Sequence, residues 1–76
     1  ASAVLIASGD WASARGHAPL AALVDAEVAA VDFVGGEGLL MAPTVAVARL
    51  LSRLRLTLAD FDLIEIHEAF AAQVLC

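Results

Sequence analysis

Lysine and tyrosine are absent from this chain, and cysteine occurs once and proline twice in 76 residues. Without lysine there is no amine for Schiff-base chemistry, and without tyrosine there is no phenolic acid. The single cysteine, Cys76, excludes an internal disulfide and suits a reducing compartment, so a cytoplasmic location is expected. Positive charge is scarce: the net charge is −5. Nucleic-acid binding calls for a basic face, which this sequence lacks. No stretch of about 18 uncharged apolar residues occurs. Asp25, Glu27, Asp32, Arg49 and Arg53 break up the long apolar regions, so no membrane span is expected. The amino end also lacks the basic region of a signal peptide.

What is present is apolar. Hydrophobic residues make up 62% of the chain, far too many for a disordered segment. A chain this short buries only about 60% of its unfolded surface when folded alone. High hydrophobicity on so few residues suggests a piece of a larger α/β protein whose elements have further neighbours. No internal repeat, low-complexity segment or domain boundary divides residues 1–76.

The local patterns alternate between strand and helix. Residues 1–7, centred on Val4, Leu5 and Ile6, are apolar on both faces and read as a central strand. Ser8 is placed to cap a helix over 10–15, with Asp10 in its first turn, Arg15 in its last and Gly16 as the C-terminal stop. Pro19 blocks continuation. Residues 20–32 alternate with a period of two. Ala22, Val24, Ala26, Val28 and Ala30 form an apolar face, and Leu23, Asp25, Glu27, Ala29 and Val31 a mixed one, which predicts a long strand.

Residues 33–42 read as a loop, with Gly35, Gly36 and Gly38 lacking the spacing of a nucleotide fingerprint. Pro43 opens a helix whose Val47, Leu50, Leu51 and Leu54 form a core stripe. Thr57 to Asp60 reads as a capped turn. Residues 61–66 are a third strand and 68–76 a further helix. This order points to an α/β layered sheet.

Chemistry is concentrated at the last strand-to-helix junction, where a sheet holds the backbone and leaves side chains exposed. His67 sits there. A neutral imidazole donates one hydrogen bond and can stabilise an oxygen on which negative charge develops. By position alone, a histidine simply hydrogen-bonded at a strand end is the plainer reading. Glu68 at the helix start gains roughly 0.3–1 kcal/mol from the helix dipole. Glu65, on the same strand face as Leu63 and His67, reads as structural support. The two glutamates do not define a glycosidase dyad. Cys76, two turns into the helix, reads as a small buried residue rather than a nucleophile. His17 has no ligand partner at metal spacing. Trp11 and Phe33 read as isolated packing residues.

The string His67-Glu68-Ala69-Phe70-Ala71 resembles an active-site motif of the thiolase family. Two further stretches carry the resemblance. Residues 1–8 are similar to the strand that follows the Asp-Gly opening of the thiolase C-terminal domain, and 56–65 to the approach to the active-site loop. Most thiolases place asparagine first in the motif. Histidine at that position, with Leu39-Leu40-Met41-Ala42-Pro43-Thr44 upstream, resembles the His-Glu-Ala-Phe branch, which includes subunits of fatty-acid β-oxidation complexes. Sterol-carrier-type thiolases continue their histidine with Asp-Cys-Phe, unlike Glu68-Ala69-Phe70. Arg55 departs from the pattern, standing near a position where many relatives end the preceding helix with glycine.

The resemblance implies part of a three-layer α/β/α domain with a mixed sheet, residues 1–76 being its first half. It implies an acyltransferase that cleaves 3-ketoacyl-CoA with coenzyme A or runs the reverse Claisen condensation. Coenzyme A is then a substrate, and no cofactor is expected. His67 would help form an oxyanion hole, and Ala69 and Phe70 would line the acyl-pantetheine channel. The expected partners are acyl-CoA or coenzyme A, the remainder of the subunit, and a homo-oligomer or β-oxidation complex. The family's nucleophilic cysteine belongs to the N-terminal domain, and its Gly-His-Pro histidine and second cysteine lie later in the C-terminal domain. Cys76 matches neither cysteine motif, so this chain alone is expected to be inactive. The competing expectation is a non-catalytic thiolase-like scaffold or binding protein.

Overall fold

Two helices begin and end where side-chain chemistry places their caps. The structure, a computed structural model, describes residues 1–76. Helix α1 spans Gly9–Ala14, and the Trp11 N–H donates to the Ser8 hydroxyl at 3.2 Å, which satisfies one orphan donor of its first turn. The Gly16 N–H donates to Ser13 C=O at 3.1 Å and the His17 N–H to Ala12 C=O at 2.9 Å. These two bonds form a Schellman stop, which places Gly16 at φ 68°. Helix α2, Ala42–Leu54, carries Pro43 in its first turn, where a missing N–H costs nothing. A short 3₁₀ turn follows at Leu58–Asp60, closed by the Thr57 N–H and hydroxyl donating to the Asp60 carboxylate at 2.7 and 2.9 Å. Helix α3 is a single turn, Ala71–Val74.

The three segments expected as strands make no backbone ladder with one another. A strand acquires its hydrogen bonds only from a neighbour, and three or more strands with a covered face are needed for independent stability. Val4, Leu5 and Ile6 are exposed, as are Val24 and Val28, and Leu63, Ile64 and Ile66. Ala12 is the one buried residue. The expected core stripe of α2 is only half covered: Leu50, Leu51 and Leu54 are partly shielded and Val47 is exposed. Phe33, expected to pack, is exposed as well.

The dimensions agree. The radius of gyration is 16.4 Å, where a compact domain of this length has about 11 Å. The accessible surface is 6829 Å², against about 4,400 Å² for a compact protein of this mass. An excess on the order of 2,000 Å² is the size of an obligate interface. The apolar faces of the extended segments and much of the α2 stripe are left uncovered.

Part of segment 20–32 nevertheless keeps its period of two. From Asp25 to Val31 the odd-numbered residues are half covered and the even-numbered ones exposed. The mixed face therefore turns toward α2, with Glu27, Val28 and Ala29 lining a shallow groove with Ala42, Pro43, Ala46 and Val47. The apolar face, Ala22 through Ala30, points outward. No helix is long and apolar enough to cross a membrane.

Candidate active site

His67 lies at the end of the extended segment that follows the 3₁₀ turn, and its side chain is exposed. The Ala69 N–H donates to the His67 carbonyl at 3.0 Å, bending the chain within three residues. Phe70 is extended again, at φ −144° and ψ 136°, and is the N-cap residue of α3. The bend thus brings His67, Ala69 and Phe70 onto one short corner. The His67 imidazole forms no hydrogen bond with a protein group, and Phe70 is 62% exposed.

Two expectations at this corner need correction. Glu68 does not start the helix: α3 begins at Ala71, so the Glu68 carboxylate is three residues upstream and outside the dipole's reach. Cys76 is exposed rather than buried, and its Sγ–H donates to the Ala72 carbonyl at 3.2 Å. Both follow from α3 being one turn long, since a short helix gains too few hydrogen bonds to offset the cost of its nucleus. Glu65 is also exposed and makes no side-chain hydrogen bond to His67. The corner presents a potential hydrogen-bond donor and an apolar ring, with no thiol beside them. No group of three or more His, Cys, Asp or Glu side chains converges as a metal centre would require.

The strongest electrostatic cluster lies elsewhere and was not anticipated. Arg53 of α2 donates from Nε to Asp25 at 3.0 Å, from Nη1 to Glu27, and from Nη2 to the Ala26 carbonyl at 3.0 Å. The Asp25 and Glu27 side chains are 28% and 18% exposed, and Arg53 is 46% exposed. The Arg53 hydrogen bonds, supported by backbone N–H groups, hold both carboxyls below the usual carboxylate range, and Arg49 adds to the effect at Glu27. The two carboxylates in turn raise Arg53 further above its already high value. Asp60 is lowered by the backbone N–H and hydroxyl of Thr57.

Because the folded values of Asp25 and Glu27 are lowered, their contribution to stability is fully present above the ordinary carboxylate range and is lost as pH falls through the folded values. A carboxyl ¹³C titration should place both midpoints below those of unfolded peptides, and Arg53→Met should raise them toward the ordinary range, the backbone N–H bonds from Ala26 and Val28 keeping part of the lowering. Midpoints that Arg53→Met leaves unmoved would remove Arg53 as the cause.

A smaller cluster surrounds Trp11. The Arg15 guanidinium lies 4.3 Å from the ring centroid, and the His17 ring stacks at 5.7 Å with an interplanar angle of 15°. This corrects the reading of Trp11 as an isolated ring. The contact geometry suits a cation–π pair.

Comparison with known proteins adds to this geometry. The family described as "Thiolase, C-terminal domain" matches residues 17–76. The chain is 45% identical over 75 residues to a Caenorhabditis elegans protein named "Probable 3-ketoacyl-CoA thiolase", covering 99% of this chain and 16% of that one. It is 45% identical over 75 residues to the 3-ketoacyl-CoA thiolase of Pseudoalteromonas atlantica, covering 99% of this chain and 17% of the relative. A third relative, the mitochondrial trifunctional enzyme subunit beta of Rattus norvegicus, is 43% identical over 75 residues, with 99% and 15% covered. The chain therefore spans only 15–17% of the length of these relatives.

Proposed function

This chain belongs to the thiolase family through its C-terminal domain, and from that premise we propose that it is the first half of that domain in an acyltransferase acting on 3-ketoacyl-CoA. The observation that carries the reading is the near end-to-end identity of 43–45% to proteins named as 3-ketoacyl-CoA thiolases or a trifunctional enzyme subunit. Residues 1–7, 20–32 and 61–66 become strands of a mixed sheet between two helical layers once neighbouring strands supply their hydrogen bonds. The surface excess and the outward apolar face of 20–32 support that reading.

In the reaction the C2–C3 bond of the 3-ketoacyl-CoA breaks: the acyl group carrying C3 passes to the sulfur of coenzyme A and leaves as a shortened acyl-CoA, while C2 takes up a proton and leaves as acetyl-CoA. The step needs a donor for the thioester oxygen as negative charge builds on it. His67 is the residue proposed for that donor, and the exposed corner at Ala69 and Phe70 is the proposed wall for the acyl-pantetheine end. The partners are coenzyme A thioesters and the rest of the subunit, within a homo-oligomer or a β-oxidation complex.

A covalent route needs an activated nucleophile. The chain's one thiol, Cys76, hydrogen-bonds to the Ala72 carbonyl and has no base beside it. The purified chain should show no thiolysis of acetoacetyl-CoA, followed as loss of the ketoacyl-CoA absorbance, whereas a full-length protein containing it should be active. Turnover by the chain alone would overturn the division of labour proposed here. An inactive full-length protein would favour the scaffold reading.

A further inference from the structure

Segment 20–32 turns the less apolar of its two faces toward α2. From Asp25 to Val31 the odd-numbered residues are half covered, while Val24 and Val28 of the wholly apolar face are exposed. The helix meets this mixed face with one stripe, since Ala42, Ala46, Arg49 and Arg53 recur at helical spacing. Ala42 and Ala46 line the groove with Glu27 and Ala29, and Arg53 reaches Asp25 and Glu27. Burial of apolar surface is non-directional and would instead seat Val24 and Val28 on the helix. The observed choice of face needs a directional cause.

Arg53 supplies one. Its Nε, Nη1 and Nη2 donate to the Asp25 carboxylate, the Glu27 carboxylate and the Ala26 carbonyl between them. Asp25 and Glu27 are two residues apart, so both side chains leave the segment on the same face. A slip of one residue would turn both carboxylates away from the guanidinium together. The rigid, planar fork of arginine matches several acceptors in one geometry, which a point charge does not. Arg49, four residues earlier on the same stripe, adds attraction for Glu27. We propose that Arg53 is a face selector: by engaging Asp25 and Glu27 together it fixes the mixed face of 20–32 against α2 and keeps the apolar face outward, against the preference of apolar burial. The inference is independent of the acyl-transfer reading, because it follows from how two elements of this chain meet.

Thiol labelling of the 76-residue chain tests it, with Cys76→Ser removing the exposed native thiol. Ala29→Cys and Ala30→Cys, made singly, probe the two faces with matched side chains and leave Val24 and Val28 intact. With Arg53 present, the thiol at 30 should label faster than the thiol at 29 by about two- to tenfold, the scale of a modest hydrogen bond or ion pair. Arg53→Met should reverse that order, since apolar burial then decides which face turns in. An unchanged order overturns the proposal. So do equal rates with the helicity of α2 retained by circular dichroism, because Arg53 would then tether the segment without choosing its face. Should Arg53→Met lose its helix, Arg53→Lys decides: one point charge in place of the fork should shrink the difference between the two positions, and an undiminished difference overturns the selector.

Discussion

Replacing His67 by alanine in the full-length protein lowers turnover by roughly 10²–10³-fold, the effect of removing one oxyanion donor, or about 2.7–4 kcal/mol of transition-state stabilisation. The size follows from where the donor acts. A hydrogen bond that strengthens as charge develops on the thioester oxygen lowers the barrier without tightening ground-state binding, so kcat should fall while KM changes little. In the proposed role the imidazole acts from a sharp bend, where the Ala69 N–H donates to the His67 carbonyl at 3.0 Å and the ring makes no hydrogen bond with the protein. His67→Asn is the informative companion. An amide N–H also donates, so the asparagine variant should retain most of the rate lost by alanine. A structural histidine would give the opposite pattern, with both variants equally affected and unfolding at lower denaturant. Steady-state thiolysis kinetics with the two variants decide between them, and undiminished turnover in His67→Ala removes the residue from the chemistry.

The parts of the fold legible in the sequence were those settled within a few residues. Ser8 and Gly16 bracket α1 and Thr57 with Asp60 closes the 3₁₀ turn through bonds spanning three to five positions, while Pro43 opens α2 through its fixed φ. Residues 25–31 of the expected 20–32 strand kept their period of two because alternation is a property of one extended chain. Their ladder was not legible, because a strand's partner is a distant segment. The same limit explains the missed cluster. Two acids two residues apart on one face and an arginine off the leucine stripe were each visible, but their meeting spans 26 and 28 positions.

At the site, His67, Ala69 and Phe70 were legible as a motif. The helix expected to start at Glu68 was misplaced, because an alanine-rich sequence expresses helical propensity without fixing where the first turn closes. Glu68 and Cys76 were misjudged with it.

Arg55→Gly leaves the protein more stable than Arg55→Ala, by about 1 kcal/mol. The two Schellman stops of this chain make the comparison. At Gly16 the left-handed conformation, φ 68°, falls on a residue without a Cβ. At Arg55 the same motif, φ 57° and ψ 40°, is forced on a side chain. The hydrogen bonds are equivalent: Arg55 N–H to Ser52 C=O at 3.3 Å and Leu56 N–H to Leu51 C=O at 3.0 Å. The turn is therefore built around a residue that strains it by about 1–2 kcal/mol.

Two effects oppose the gain. Glycine enlarges the unfolded ensemble by about 0.4–1 kcal/mol, and removing the guanidinium forfeits roughly 0.3–1 kcal/mol of attraction to the helix C-terminus. The alanine variant loses the same charge and keeps the Cβ, so its difference from glycine is the backbone strain less the entropy that glycine adds to the unfolded state. Arg55→Asn should lie between, as asparagine tolerates the left-handed region better than most residues. Urea unfolding of the full-length protein carrying each variant should order them glycine, asparagine, alanine from most to least stable. If alanine exceeds glycine by the entropy glycine adds to the unfolded state, the left-handed turn at Arg55 carries no strain, and the second stop is held by something other than the backbone geometry it shares with the first.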